Sequence, residues 1–317
     1  MNNNTEHTDA TIREKLLKSK KPLILSHVRP DGDAIGAMLS LYLALEAKGK
    51  NPSMVIIDGI PRKFKFLKGT DRIDRTIKGG HDLVVTVDCA DIKRVGAPNG
   101  LPKVDINIDH HITNELYGET NLVDANQPAA CAILAKHFPK WDLEIDEDVA
   151  KALLMGIVTD TIGFRTPNVG PEVLRLAASL MEKGANLSGI YFQSLTEQSQ
   201  PASLIWGFAL ARLKFQKNLA WTTITLEDRK RAGYQGRDDA DLTNLLSTLE
   251  NIDIAVLFNE EKDDTVKISW RSKGNIDVSK IAVKFNGGGH PPAAGAEIDG
   301  KLEAVIDLVL GETKKYL

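Results

Sequence analysis

The N-terminal half of the chain alternates short apolar runs with longer helical patterns. The apolar runs predict strands at 22–27, 53–57, 82–88 and 104–109. Helical patterns occupy 33–48, which ends before Gly49, and then the stretches near 128–138, 147–160 and 171–183. Strands that alternate with helices in this order are typical of a mainly parallel sheet covered on both faces.

The C-terminal part shows a similar alternation on a smaller scale. Strands are predicted near 212–217, 219–226, 252–258 and 265–271, with helices near 238–250, 277–284 and 301–316. The stretch between the two halves is more polar and contains Pro201. We therefore predict an α/β protein with a mainly parallel-sheet domain at 1–190, a linker at 191–204 and a smaller α/β domain at 205–317.

Composition narrows the protein class. The 317 residues are 42% hydrophobic and 26% charged, as in globular proteins, and the formal net charge is −3. This charge excludes a protein that coats duplex nucleic acid by bulk positive charge. The two cysteines, Cys89 and Cys131, are too few for a disulfide framework and are predicted to be small buried side chains. With no signal peptide or membrane-spanning run in the pattern, a cytoplasmic location is expected.

Acidic and histidine residues follow the carboxyl ends of several predicted strands, where open parallel sheets bind their ligands. They are His27, Asp31, Asp33, Asp88, Asp109, His110 and His111, and a following helix adds Asp160. So many carboxylates at one edge require a cation to offset their repulsion. Carboxylates with imidazoles suit Mn²⁺, Mg²⁺ or Co²⁺, and there are enough of them for two ions if one carboxylate bridges.

Each element of this pattern also has a structural interpretation. Asp31-Gly32-Asp33 alone is typical of a turn and a helix N-cap, and Asp88 and Asp109 alone could be polar strand ends. Several such coincidences at one sheet edge favour the metal site.

A second feature is Gly287-Gly288-Gly289-His290, downstream of Arg271 and Ser272. The motif lacks the Gly-Lys-Ser/Thr of a P-loop, and no strand leads into it as in a dinucleotide fingerprint. Exposed glycine N–H groups and an arginine can bind an anion. A flexible turn beside an ordinary surface arginine is an equally good interpretation of these residues alone.

Taken together, the motifs resemble those of the DHH phosphoesterases. The resemblance rests on His27-x-x-x-Asp31-Gly32-Asp33-Ala34-Ile35-Gly36, Asp88-Cys89-Ala90-Asp91, Asp109-His110-His111 and Asp160-Thr161. The glycine motif with Ala293-Ala294-Gly295 is similar to the signature of the DHH-associated C-terminal domain. Length and layout are most similar to the stand-alone nano-RNase / pAp phosphatases.

The resemblance implies a role for each candidate residue. One divalent cation, most often Mn²⁺, would be bound by His27, Asp31 and Asp88, and a second by Asp33, Asp88, His110 and Asp160. His111 would contact the scissile phosphate and Asp109 would orient a neighbouring histidine, which makes Asp88, His111 and Asp109 the expected catalytic residues. Substrate binding would fall to Arg271, Ser272, Gly287, Gly288, Gly289 and His290, with the active site in the cleft between the domains.

The implied activity is hydrolysis of short oligoribonucleotides to mononucleotides, and of 3′-phosphoadenosine 5′-phosphate (pAp) to AMP, by a hydroxide bridging the two ions. Short single strands or small nucleotides are the expected partners, rather than duplexes or membranes, and a homodimer is plausible. Two alternatives stay open: a phosphodiesterase for cyclic di-AMP or its linear product pApA, and a non-catalytic nucleotide sensor. Two positions depart from the family pattern, Pro291-Pro292 after the glycine motif and Ala37 after Gly36.

Overall fold

The computed structural model describes residues 2–96 and 100–317, with side chains from residue 6 onward. The chain forms two compact units, Met1–Glu197 and Gln198–Leu317. The division lies within segment 191–204, for which the sequence predicts a linker. Much of this segment is helical, because a π-helical turn spans Phe192–Thr196 and a helix begins at Gln200.

The first unit contains a six-stranded parallel sheet, which confirms the predicted fold class. Its order is β3-β2-β1-β4-β5-β6, and every neighbouring pair runs parallel. In chain order the elements are α1 (Asn2–Lys18), β1 (Pro22–Leu25), α2 (Gly32–Ala47), β2 (Ser53–Val55), β3 (Ile73–Asp74), β4 (Leu83–Val87), β5 (Ile106–Asp109), β6 (Thr120–Val123), α3 (Ala130–His137), α4 (Glu147–Asp160), α5 (Pro171–Glu182) and α6 (Leu187–Tyr191).

Both faces of this sheet are apolar, and within the described residues α-helices cover one of them. Alternate strand residues such as Ile24 and Val85 enter a large core to which α1 through α6 all contribute buried side chains. The opposite strand positions, including Leu23 and Val84, pack in a smaller cluster with Val95 and other side chains from loops and a 3₁₀ turn. Helices therefore cover one face of the sheet, and loops with a 3₁₀ turn cover the other.

Helix α2 crosses α4 at very short range, and glycines make this possible. A Cβ atom at Gly32 would lie 2.2 Å from the Thr159 hydroxyl oxygen, and one at Gly36 would lie 2.5 Å from the Ala152 carbonyl oxygen. The close crossing brings the first turn of α2 against the last turns of α4. Residues from both helices therefore reach the same end of the sheet.

The second unit has its own six-stranded sheet, of order β11-β12-β10-β9-β8-β7, antiparallel except for the β8–β9 pair. Its elements are α7 (Gln200–Ala211), β7 (Lys214–Gln216), β8 (Leu219–Ile224), α8 (Leu226–Ala232), α9 (Leu242–Leu246), β9 (Ile254–Glu260), β10 (Thr265–Ser272), α10 (Ser279–Val283), β11 (Gly288–His290), β12 (Ala293–Asp299) and α11 (Leu302–Thr313). A second α/β unit is as predicted, while β11, β12, α7 and α8 were not foreseen.

No helix in residues 2–96 or 100–317 has both the length and the apolar character needed to cross a bilayer.

Candidate metal centre

The candidate residues of the first unit lie where its central strands end. His27 follows β1, Asp88 follows β4, and Asp109 is the last residue of β5, directly before His110 and His111. Asp31 and Asp33 stand at the start of α2, and Asp160 is the last residue of α4. Adjacent parallel strands end at one edge, so the topology brings all eight side chains to one place.

Asp88 lies at the centre of the group and faces a histidine on each side. Its Oδ2 lies 3.6 Å from His27 Nε2, and its Oδ1 lies 3.5 Å from His110 Nε2. The side chain is buried and its backbone has a φ of +51°, an unfavourable conformation for a residue with a Cβ atom. Such strain persists only where the surrounding structure enforces it, and it clusters at functional sites.

Two sets of possible metal-binding atoms meet at Asp88. On one side, His27 Nε2 also lies 3.8 Å from Asp31 Oδ2. On the other side, His110 Nε2 lies 3.5 Å from Asp160 Oδ2 and 3.9 Å from Asp33 Oδ2. The first set has the members of one predicted ion site, and the second, Asp33, His110 and Asp160, has those of the other apart from Asp88. A third group of possible ligands joins Asp88 to Asp109, His110 and His111. Their role as metal ligands stays a prediction.

Asp31 also has the structural role that the turn interpretation gives it. Its Oδ1 accepts a hydrogen bond from the Ala34 N–H at 3.1 Å and so caps α2. Its other oxygen, Oδ2, is the one that faces His27. The cap therefore orients the carboxylate toward the centre, and the two interpretations of this residue are compatible.

The donor atoms fit a bound cation. Asp88 Oδ1 is buried and accepts no hydrogen bond within the part of the chain that the structure describes. A buried carboxylate oxygen that accepts no hydrogen bond costs stability, and coordination to a cation would compensate for the missing bond. Carboxylate and imidazole groups are donors that first-row divalent metals accept.

The pKa values show how strongly these groups interact. Burial opposes the charged form of His110 and His27, but the Asp88 carboxylate outweighs it and raises their pKa to about 11 and about 9. Burial raises the pKa of Asp33 to about 7, and the charge of Asp88 adds to the effect. Burial likewise raises the pKa of Asp160. Burial alone would raise the pKa of Asp88, but contacts with His110 and His27 outweigh burial and hold this pKa well below the usual range.

His111 is oriented by a chain of partly buried hydrogen bonds. Its Nδ1 lies 2.7 Å from Asp109 Oδ1, and Asp109 Oδ2 accepts a hydrogen bond from Asn114 Nδ2 at 2.6 Å. Asn114 Oδ1 accepts in turn from Asn107 Nδ2 at 2.9 Å. Burial would lower the pKa of His111, but the Asp109 hydrogen bond outweighs it and raises the pKa. This arrangement fixes the ring with Nδ1 toward Asp109 and Nε2 away from it.

In the second unit, Arg271 and His290 lie on the same face of the sheet. Arg271 of β10 pairs with Ala293 of β12, which pairs on its other side with His290 of β11. Directly paired residues share a face, so the two side chains flank Ala293 about 10 Å apart at the usual strand spacing. Arg271 donates a hydrogen bond to the Trp270 carbonyl oxygen at 3.1 Å, and burial lowers its pKa.

The glycine motif forms an exposed edge strand, not a free loop. Gly288–His290 pairs with β12, and a Cβ at Gly287 would lie 2.2 Å from the Gly295 carbonyl oxygen. Gly289 has a φ of +144°, which excludes most other residues. The Ser272 hydroxyl donates to the Ile276 carbonyl oxygen at 2.6 Å, so it holds the neighbouring turn.

Comparison with known proteins gives the family. Residues 21–157 match the N-terminal domain of the DHH family, and residues 227–315 match the DHHA1 domain. A bifunctional oligoribonuclease and PAP phosphatase NrnA of Thermus thermophilus is 34% identical, over 96% of this chain and 93% of its own. The chain belongs to the DHH family. This confirms the predicted resemblance to phosphoesterases, which hydrolyse phosphoester bonds.

Two further relatives of this DHH protein cover most of its length. The bifunctional oligoribonuclease and PAP phosphatase NrnA of Bacillus subtilis is 28% identical, over 86% of this chain and 87% of its own. A crystal structure of an exopolyphosphatase-related protein from Bacteroides fragilis superposes with a TM-score of 0.90 and 24% identity, covering 98% and 96% of the two chains. That structure supports the fold assignment.

Sequence reasoning missed the asparagines of this DHH centre. Asn107 and Asn114 are polar residues on and after a strand, and neither is a metal ligand or a titratable group. The only available signal was position, since Asn114 follows the Asp109-His110-His111 motif by three residues.

Cys89 and Cys131 are both buried, as expected, and burial raises the pKa of the Cys89 thiol to about 12. Ala37 of α2 is buried in the hydrophobic core of the first unit.

Proposed function

We propose that this protein is a metal-dependent phosphoesterase that hydrolyses short oligoribonucleotides to mononucleotides and pAp to AMP. The observation that carries the proposal is the convergence on Asp88 of two histidines and three further carboxylates from separate elements. Two relatives that match most of the chain are named for this pair of activities. The family supplies the reaction class, and the relatives supply the substrates.

The proposed cofactor is a pair of divalent cations, with Mn²⁺ as the first candidate because the donors are oxygens and imidazole nitrogens. His27, Asp31 and Asp88 would hold one ion, and Asp33, Asp88, His110 and Asp160 the other. When bound, such ions lower the pKa of water and neutralise charge on phosphoryl oxygens. Asp88 would serve both, since its two oxygens face the two sets.

The surrounding side chains are proposed to orient the phosphate and hold a proton at a defined atom. His111 keeps Nδ1 on Asp109, so Nε2 would be the atom that meets a phosphoryl oxygen. The raised pKa of His111 favours the protonated ring, which can donate a hydrogen bond and offset negative charge. Asp109 would act through His111, as a positioning residue.

Substrate selection is assigned to the second unit. Arg271 and His290 share a face of its sheet and present two hydrogen-bond donors to an anion. Gly287, Gly288 and Gly289 give close access to the backbone of the edge strand, while Ser272 would shape the neighbouring turn. With a net charge of −3, the chain lacks the bulk positive charge for duplex binding, so short single strands and small nucleotides are the proposed substrates.

The test is product release with Mn²⁺ from three substrates: pAp, a di-adenylate and cyclic di-AMP. AMP from the first two, abolished by a chelator and by Asp88→Ala, is the expected result. Turnover of the cyclic compound alone would replace the proposal with the cyclic di-AMP phosphodiesterase. Binding of nucleotides without metal-dependent turnover of any substrate would favour the nucleotide sensor.

A further inference from the structure

An arginine that none of the motifs includes lies beside the metal centre. The side chain of Arg94 is exposed, and its Nη2 lies 3.3 Å from Nδ1 of His27. His27 is the histidine whose other nitrogen, Nε2, faces Asp88 and Asp31. The guanidinium therefore sits just outside the proposed ligands, on the His27 side.

The close approach of Arg94 to His27 is not a productive hydrogen bond. His27 Nδ1 lies 2.9 Å from the Val28 carbonyl oxygen, which can only accept, so Nδ1 carries a proton. A guanidinium has only donors, and a protonated Nδ1 cannot accept from it. Nε2 is then the nitrogen that would bind a metal once the ring has lost its other proton.

Arg94 also has no carboxylate partner in the part of the chain that the structure describes. No ion pair joins it to an acidic side chain within residues 6–96 and 100–317. Its guanidinium can thus offer donors to a ligand in the fork geometry that matches phosphate. Surface arginines are common without a role, so the position of this one has to be fixed by the fold to matter.

The backbone around Arg94 is fixed to the segment that carries His27. The Val28 N–H donates to the Arg94 carbonyl oxygen at 2.7 Å, and the Arg94 N–H donates to the Asp91 carbonyl oxygen at 3.0 Å. Arg94 belongs to a 3₁₀ turn, Ile92–Val95, and Asp91 caps this turn, since its Oδ1 accepts from the Lys93 N–H at 2.8 Å. Gly96 ends the turn with a φ of +67°. The turn that bears Arg94 is therefore anchored to the metal centre.

We propose that Arg94 binds the second phosphate of the substrate, the one next to the phosphate that is cleaved. The inference rests on the proposed function and names its substrate class: nucleotides with a further phosphate, as in pAp or a 5′-phosphorylated dinucleotide. In the proposed function, the cations and His111 would be the partners of the cleaved phosphate. A guanidinium just outside that group is placed to neutralise the next anionic group along the substrate.

The test compares Arg94→Ala with Lys93→Ala, which removes an exposed cation from the same turn. The substrates are pAp and adenosine 3′-monophosphate, which share the cleaved bond and differ only in the 5′-phosphate. Arg94→Ala is expected to raise KM for pAp about tenfold, the effect of one charge-assisted contact, with kcat within about twofold. For the monophosphate, KM of Arg94→Ala should stay at the wild-type level. Lys93→Ala should keep wild-type KM and kcat for both substrates, and Arg94→Lys should recover part of the lost affinity for pAp.

Calorimetric titration with AMP, which retains the 5′-phosphate, gives a second readout without turnover. Arg94→Ala is expected to weaken AMP binding about tenfold, and Lys93→Ala to leave it unchanged. Equal losses for both substrates, or none for either substrate and for AMP, would overturn the proposal. If the wild type cleaves neither substrate, the proposed function fails, while the AMP titration still decides whether Arg94 binds a phosphate.

Discussion

The backbone N–H of Cys131 donates a hydrogen bond to Asp33 Oδ1 at 2.9 Å, across an interval of 98 residues. The neighbouring Ala130 N–H donates to Asp33 Oδ2 at 2.5 Å. Helix α3 has no side-chain cap of its own at Ala129, so Asp33 satisfies its first N–H groups. One carboxylate thereby ties the start of α3 to the metal centre.

The Asp33–Cys131 contact makes Gly156 critical, although Gly156 carries no functional group. A Cβ atom there would lie 2.2 Å from Cys131 Sγ and 2.8 Å from Asp33 Oδ1. Gly156→Ala is expected to lower Mn²⁺ affinity at least tenfold and to destabilise the unit by about 1–3 kcal/mol through overpacking. Calorimetry with Mn²⁺ and urea unfolding measure the two effects.

The matched control is Gly207→Ala in helix α7, where an added Cβ meets no atom within 4 Å. It is expected to leave Mn²⁺ binding unchanged and to stabilise slightly, because alanine favours the helix. Wild-type Mn²⁺ affinity in Gly156→Ala would contradict the predicted crowding of Asp33.

Asn114 is expected to act through Asp109 on His111. Asn114→Ala removes the hydrogen bond to Asp109 Oδ2 and should lower kcat about 10- to 100-fold, the usual cost of losing a group that orients an active-site ligand. The pH profile of kcat should shift as well, since Asp109 sets the charge of His111. Steady-state kinetics from pH 6 to 9 measure both.

A double-mutant cycle separates this role from a loss of loop structure. If Asn114 works through His111, Asn114→Ala has little further effect in a His111→Ala background. Asn51→Ala, at an exposed position after α2, is the neutral control. Additive losses in the double variant would disprove the coupling.

Metal binding is expected to release protons. In the metal-free protein the pKa of His27 is raised to about 9 and that of His110 to about 11, so both are protonated at pH 7 and must lose a proton to bind a metal. Titration of Mn²⁺ in buffers of different ionisation enthalpy should show at least one proton released per protein chain. Mn²⁺ affinity should increase with pH, and a binding enthalpy that is independent of the buffer would contradict the prediction.

The same histidines make the stability of the metal-free protein depend on pH. Their folded-state pKa values lie above the ordinary 6.5, so their contribution is complete below pH 6.5 and is lost as the pH rises through about 9. In a chelator, the unfolding midpoint in urea should therefore fall between pH 7 and pH 10. With saturating Mn²⁺ the decline should be smaller, because binding replaces the lost proton.

A contact with the opposite pH dependence involves Asp9 in α1. Its Oδ1 accepts from Trp141 Nε1 at 2.9 Å, and its Oδ2 lies 3.0 Å from Lys140 Nζ. Burial alone would raise the pKa of Asp9, but hydrogen bonds from His137 and Lys140 outweigh it and hold the pKa below 3.8. The contribution of this carboxylate is therefore complete above about pH 4 and lost at lower pH.

Asp9→Asn is expected to cost about 2 kcal/mol at pH 7, as for a hydrogen bond to a charged group, and much less near pH 3. Urea unfolding at the two pH values measures the difference. Glu6→Gln, at an exposed position of the same helix, should be neutral at both. An Asp9→Asn penalty that is the same at pH 3 and pH 7 would refute the assignment.

Much of the first unit was predictable because local pattern and tertiary role agree there. The runs that form β1 and β4 are apolar apart from Thr86, as expected of strands buried on both faces. Strand β4 ends directly before Asp88, and β5 ends in Asp109. Strand β6, Thr120–Val123, is short and begins with two polar residues, and the sequence did not predict it. Its pairing with β5 imposes the extended conformation.

The second unit shows the opposite case. Strand β12 begins with Ala293-Ala294-Gly295, residues of low strand propensity, yet it pairs with β10 over seven positions. The glycine motif pairs with β12 and so forms strand β11, although its glycines favour a loop. Partner strands, not local propensity, decide these conformations.

By itself, the sequence determined the residue types at the strand ends, the order of the motifs and the family, because these depend on chemistry and spacing along the chain. Only the tertiary structure decided that Asp88 faces two histidines and that Asp33 caps α3. It also decided that Asn114 acts on His111 through Asp109, and that the 3₁₀ turn places Arg94 beside His27. Those relationships join residues up to 98 positions apart. They depend on the short crossing of α2 with α4 and on the parallel register of the sheet, which no local pattern encodes.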